Sequence, residues 1–304
     1  MENKPIPVPL EATRAFTEIA QWTRVCWHML KAWGDPAPGS RFEQMNDIYP
    51  FEKVSDRARH YISAALEHLL MWADFAVPFK FHPEQTTNVM LRPPMALARA
   101  ALESAAQAVW LMDGEKPLDC VQRHLRLIRW DLAEHRKSHL EAAGKDRVKR
   151  RDAELVARVA NAFTEEQILP PQGYLWVIQQ ACRPDDLDLA APQAERLWRA
   201  MSGAAHGMYW TNLDLMHVEV GEEYEPGHYR TVTVPNLLVL AEALQVGFRM
   251  TQYGCLKYLE YAGADLHQLM GPALRWLAEN ITVKPDADPR ILRRLVRNDL
   301  QAED

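Results

Sequence analysis

Residues 95–113 constrain the fold more than any other stretch. They read Met-Ala-Leu-Ala-Arg-Ala-Ala-Leu-Glu-Ser-Ala-Ala-Gln-Ala-Val-Trp-Leu-Met-Asp, a run of helix formers without Gly or Pro. Leu97, Ala101, Ser104 and Ala108 fall on one stripe, and Arg99 and Glu103 on another. A helix this apolar on most sides cannot face water and needs neighbours nearly all round. The segment therefore predicts an all-α bundle with itself at the centre. Gly114 is placed to cap it.

The flanking segments supply those neighbours. Helical periodicity predicts helices over 8–33, 53–77, 117–142, 145–163, 173–182, 192–214, 235–261 and 265–280, and a last basic helix after Asp288-Pro289. Residues 34–52 are rich in turn formers and read as a loop. The stretch 216–234 differs, because His217-Val-Glu-Val-Gly and Tyr229-Arg-Thr-Val-Thr-Val alternate with period two, with Gly221 and Gly227 between. The expected architecture is a multi-helix bundle of about eight to ten helices with one small β-hairpin near 216–234. Residues 1–52 form an N-terminal helix and loop packed on the bundle, 53–282 form the main domain with the hairpin inserted, and 283–304 form a basic tail. The ten Trp serve as core and interface anchors.

Charge and cysteine usage narrow the function. The chain has 304 residues and a formal net charge of −6. A dedicated duplex-DNA binder needs a basic surface for phosphates, so that class is disfavoured. Cys26, Cys120, Cys182 and Cys255 form no CxxC pair and read as reduced thiols of a cytoplasmic protein. The N-terminus lacks a basic-then-apolar leader pattern, and no apolar run approaches the roughly 18 residues of a membrane span.

Polar groups, small residues and helical phase coincide in Arg199-Ala-Met-Ser-Gly-Ala-Ala-His206-Gly-Met-Tyr209. Arg199, Ser202 and His206 are spaced by three and four, which returns them to one side of a helix. The Gly and Ala between them leave room for another backbone or a ligand. Arg129 and His135 have a similar gap, but a step of six leaves them about 120° apart.

An Arg followed by four to six residues and then His resembles the motif of the HEPN superfamily, helical-bundle proteins that include metal-independent RNases of toxin and defence systems. The resemblance covers this helix and, more loosely, residues 53–214. It implies an endoribonuclease that needs no cofactor, with Arg199 and His206 at the chemistry and Ser202 assisting. Two copies of the motif would face each other across a homodimer. Arg99, Glu103 and Tyr209 are supporting candidates, with Glu103 orienting His206 across the bundle. The residue types suit that chemistry. An imidazole can take a proton from a ribose 2′-hydroxyl, and a guanidinium can hold phosphate oxygens as charge builds. Arg147, Lys149, Arg150 and Arg151 could grip an RNA backbone.

Other readings of the same residues stay open. Helix 192–214 could pack as a small-residue centre with His206 buried and hydrogen-bonded, in a bundle that binds a ligand or protein without catalysis. Arg99 and Glu103 could be a structural ion pair, and His60 and His68 isolated core residues. His124, Asp131, His135 and His139 recur at steps of seven, four and four. With Glu103, the histidines could form a metal site of a helical-bundle oxygenase, or the residues could simply lace a solvated face.

Overall fold

A computed structural model of the chain describes residues 8–79 and 90–281. Its centre is α4 (Arg92–Met112), which starts on Pro93 and Pro94 in the first turn and buries Ala98, Ala101, Leu102, Ala105, Ala106, Ala108 and Val109. Two long helices pack on it most extensively, α3 (Val54–Ala76) and α10 (Leu237–Tyr261). The approach is close because both partners are small at the crossing. A Cβ on Gly247 of α10 would stand 2.8 Å from the carbonyl oxygen of Ala98, and one on Gly254 would stand 2.6 Å from Ile62 Cδ1. These two glycines are seven residues apart and share the face turned to α4.

α1 (Leu10–Ala32) lies against α10, α3 and α11 (Leu266–Asn280), so the N-terminal helix belongs to the same packing unit. One continuous buried core runs from Ile19 to Leu277. α5 (Pro117–Ser138) carries α6 (Ala142–Val159) on its outer side. Arg129, 8% exposed, locks that pair through Asp152 at 2.8 and 3.1 Å and Glu165 at 3.2 Å. Arg129 is thus a structural clamp, and the phase argument that separated it from His135 is consistent with its inward position.

The bundle is all-α with one hairpin, as the periodicity predicts. Eleven α-helices lie among the described residues, two more than the nine read from the sequence over the same stretch. Two short ones account for the excess. α2 (Arg41–Ile48) occupies the expected loop, with Ser40 accepting the Glu43 N–H at its start and Phe42 and Met45 buried. The other arises because the helix expected over 192–214 is two, α8 (Ala191–Ala205) and α9 (Trp210–Asp214). The helix expected over 117–142 ends at Ser138, and Gly144 lies inside α6 against the His139 ring. α7 (Tyr174–Ala181) bridges α4 and α8.

The strands β1 (Met216–Glu225) and β2 (His228–Pro235) pair antiparallel, with Val218 opposite Thr233 and Val220 opposite Thr231. Pro226-Gly227 joins them, Gly227 at φ +76°, the sign a type II turn requires at its third residue. Arg290, Arg293, Arg294 and Arg297 of the expected C-terminal helix lie outside the described residues.

Candidate functional site

The site is set by how α8 ends. The helix stops at Ala205, and His206 is its C-cap residue with φ −89° and ψ 3°. Gly207 follows at φ +69°, the left-handed conformation that glycine adopts without steric cost. Its N–H bonds Ala204 O at 3.1 Å, and the Met208 N–H bonds Gly203 O at 2.9 Å. This double bond pattern is a Schellman cap. His206 keeps the last regular helical bond, its N–H to Ser202 O at 3.0 Å, and the chain turns away immediately after it.

His206 is solvent-exposed, and its imidazole faces α4. Arg99 Nη1 lies 3.3 Å from His206 Nε2. A guanidinium can only donate, so Nε2 is the acceptor in this contact. Arg99 is itself held. Its Nε donates to Glu103 Oε1 at 2.8 Å, one turn along α4. The same oxygen accepts Trp198 Nε1 from α8 at 2.8 Å, and the guanidinium lies 5.5 Å from the Trp198 ring centre. The side chains of Arg99 and Glu103 are 21% and 14% exposed, enough burial for the charge-assisted bonds to hold the arginine in place. Glu103 therefore reaches His206 through Arg99.

Arg199 takes a different partner. Its Nε and Nη2 donate to Glu195 Oε1 at 2.9 and 2.7 Å, and Gln179 Nε2 donates to Glu195 Oε2 at 2.9 Å. Those bonds, Arg199 first, hold the Glu195 carboxyl below its ordinary value. Glu195 lies one turn toward the helix N-terminus, so Arg199 reaches away from His206. The seven-residue step also spans about 10 Å along the axis. The imidazole's guanidinium partner is Arg99.

Ser202 is half-buried, and its carbonyl accepts the His206 N–H at 3.0 Å. Tyr209 is 74% exposed. The space beside Gly203 is filled by the chain itself, since a Cβ there would stand 2.7 Å from Trp210 Cζ2 and 2.8 Å from Thr211 Cγ2. Tyr174 borders the site from α7. Burial, and after it the negative field of Glu103, pushes its phenol pKa up.

The four alternative metal ligands are dispersed. His124 is fully buried, with Nε2 2.9 Å from Glu52 O, and burial holds its pKa down at about 3. His135 stands eleven residues further along α5, about 16 Å by helical rise. Its ring lies tilted against that of His139 at 4.7 Å between ring centres, while Glu103 is bound to Arg99 and Trp198. Among the described residues no group of three His, Cys, Asp or Glu could hold a metal ion. His60 is exposed and His68 half-buried.

α6 buries only Gly144, Val148, Leu155 and Val159. Its outer face presents Arg147, Lys149 and Arg150 along a shallow open depression, while Arg151 comes within 4.0 Å of Glu52. A cavity of about 180 Å³ behind it is lined by Glu52, Arg57, Asp131, His135 and Arg151. Ion pairs of Arg57 with Glu52 at 3.1 Å and Asp131 at 3.3 Å compensate its charge internally.

Trp198, Glu195 and Gln179 take part in the site without having been singled out from sequence. The Glu195–Arg199 spacing of four was a readable signal; Trp198 offered none, since its partner lies 95 positions away. No family model, curated protein or solved structure matches the chain. Among the described residues no helix is long and apolar enough to cross a membrane.

Proposed function

We propose that this chain is an HEPN-like, metal-independent endoribonuclease of the toxin or defence type, acting in the cytoplasm as a homodimer. The observation that carries this reading is the exposed His206 imidazole in contact with an Arg99 whose orientation Glu103 fixes. An RNA phosphate entering between them takes the Arg99 N–H bonds and frees Nε2 of His206. The imidazole then removes the 2′-hydroxyl proton as that oxygen attacks phosphorus. Arg99 holds the phosphate oxygens as charge builds, and the 5′-oxygen of the next nucleotide leaves with a proton taken from water, the imidazolium then returning its own proton to solvent. The products are a 2′,3′-cyclic phosphate and a 5′-hydroxyl end. The exposed Tyr209 and Tyr174 rings offer bases a stacking surface. Arg199 and the α6 residues Arg147, Lys149, Arg150 and Arg151 supply backbone contacts, and Ser202 flanks the imidazole.

End-labelled single-stranded RNA incubated with the protein in EDTA tests this. The expected result is cleavage to cyclic-phosphate ends, slowed about 10²–10⁴-fold in both His206→Ala and Arg99→Ala. Arg199→Ala, which leaves the His206 contact intact, loses less. A parent protein that cleaves no RNA, or a His206→Ala variant as fast as the parent, refutes it.

A second reading is a bundle of this fold that binds a ligand or protein without catalysis. It is favoured by the carboxylate holding Arg199 and by Ala200, where active members of the superfamily place a polar residue. RNA retention without cleavage, abolished by Arg99→Ala, would select it.

A further inference from the structure

Among the described residues the hairpin is the one element that the bundle does not use. All of β1 except Met216 is exposed, as are residues 228–233 of β2. Beyond its own strand pairing, the ribbon packs chiefly on α9. A two-stranded ribbon is marginal in water, and among the described residues no third strand pairs with either of its outer edges, which leaves backbone N–H and C=O groups to present.

The two edges differ in charge. β1 carries Glu219, Glu222, Glu223 and Glu225, so two β1 edges brought together would repel. β2 carries no acid, and its core Tyr229-Arg-Thr-Val-Thr-Val is rich in β-branched residues. Its sequence is also self-complementary about Val232. In an antiparallel pair with a second β2, Val232 faces Val232, and Thr231 faces Thr233 in both directions. Any antiparallel self-pair is reciprocal in this way; what this strand adds is that the reciprocal partners next to the axis are alike, Thr231 with Thr233. The side chains Val218 and Val220, 46% and 66% exposed, stand on the same ribbon face as Thr231 and Thr233.

We infer that a second copy of this chain docks on the β2 edge, joining the two ribbons into a four-stranded sheet ordered β1–β2–β2–β1 with Val232 on the two-fold axis. The edge bonds fix register, and the Thr–Thr and Val–Val cross-strand pairs add specificity. The inference rests on the homodimer part of the proposed function and not on RNA cleavage, so the two can fail separately.

Light scattering on the full-length protein tests it first, the expected mass being twice 34.9 kDa. Val232→Glu sets two carboxylates face to face on the axis and returns the mass to that of one chain, with the helical circular dichroism unchanged. Val232→Cys places two thiols directly opposite each other, at a Cβ separation near that of a disulfide. Under mild oxidation by copper–phenanthroline it forms covalent dimer at least about ten-fold faster than Glu223→Cys on the acidic edge, whose thiols meet only by diffusion. A monomeric parent, a Val232→Glu variant that remains dimeric, or equal cross-linking of the two cysteine variants overturns the inference.

Discussion

Replacing Gly247 with Ala tests whether the α4–α10 crossing is as tight as its geometry implies. Two opposing effects can be weighed. Ala is better than Gly in a helix interior by about 1 kcal/mol, so an uncrowded site would be stabilised. At Gly247, however, the new Cβ would lie 2.8 Å from the carbonyl oxygen of Ala98, with Ala101 Cβ at 3.7 Å. The blocking atom is backbone in the middle of the central helix and cannot rotate away. One whole helix must shift by several tenths of an ångström, and overpacking of this kind costs about 1–3 kcal/mol. Because the blocking atom is backbone, the cost falls toward the upper part of that range and the steric effect wins, for a net loss of up to about 2 kcal/mol. A loss of that size lowers the melting temperature by roughly 2–4 °C per kcal/mol in chains somewhat shorter than this one. Gly254→Ala is the control on the same face. There the blocking atoms are Ile62 Cδ1 at 2.6 Å and Val109 Cγ2 at 3.1 Å, side-chain ends that can turn. Thermal and urea unfolding of both variants should show the larger loss at position 247. A Gly247→Ala protein as stable as the parent, or more stable, would show that α10 does not approach α4 this closely.

Two further outcomes follow from single residues. His124 is held neutral by burial, its pKa at about 3 against an ordinary 6.5, with the Arg57 charge adding to the effect. A base whose folded pKa is depressed costs nothing above the unfolded value and destabilises progressively below it. Stability should therefore fall from about pH 6.5 toward pH 3 by roughly 1.4 kcal/mol per pH unit. His124→Gln, which keeps a donor toward Glu52 O but does not titrate there, should flatten that part of the urea-derived profile; parallel profiles would exclude His124 as the cause. Gly207→Ala meets no atom within 4 Å, so its cost is the left-handed backbone alone, about 1–2 kcal/mol by denaturation. No loss would mean that α8 does not end in the Schellman cap that positions His206.

The long helices were legible because their period is local. The charge-poor run around Ala101 and Ala105 demanded a central helix, and the alternation around Val218 and Val232 demanded a ribbon. What escaped was hidden by turn formers or by a misread glycine. Ser40, three residues before Glu43, with Phe42 and Met45 on one face, is a helix start, but Gly34 to Gly39 drew the whole stretch into a loop. Gly207 read as one more small residue of a helical stripe, when its place after His206 is that of a left-handed helix stop. That misreading matters for the site because it hides the turn that takes the chain away from α8 just after the imidazole; His206 itself keeps its helical bond to Ser202 O, and what separates it from Arg199 is the partner each side chain takes.

The choice between the two arginines shows where local spacing loses its authority. Each has a carboxylate one turn away, Glu103 after Arg99 and Glu195 before Arg199, so helical phase alone treats them alike. Tertiary packing separates them. Glu103 is 14% exposed and also bound by Trp198 from another helix, so its arginine is pinned at the α4–α8 seam where the cap delivers the imidazole. Arg199 is 59% exposed, and its ion pair is of the surface kind that contributes little. An anion competing for Arg199 displaces a weak local bond; one arriving at Arg99 meets a guanidinium already oriented, with a hydrogen-bond-accepting imidazole beside it. Preorganisation of that kind comes from residues 95 and 107 positions apart in sequence, which is why neither the spacing of Arg199 to His206 nor any other single-helix pattern could have located it.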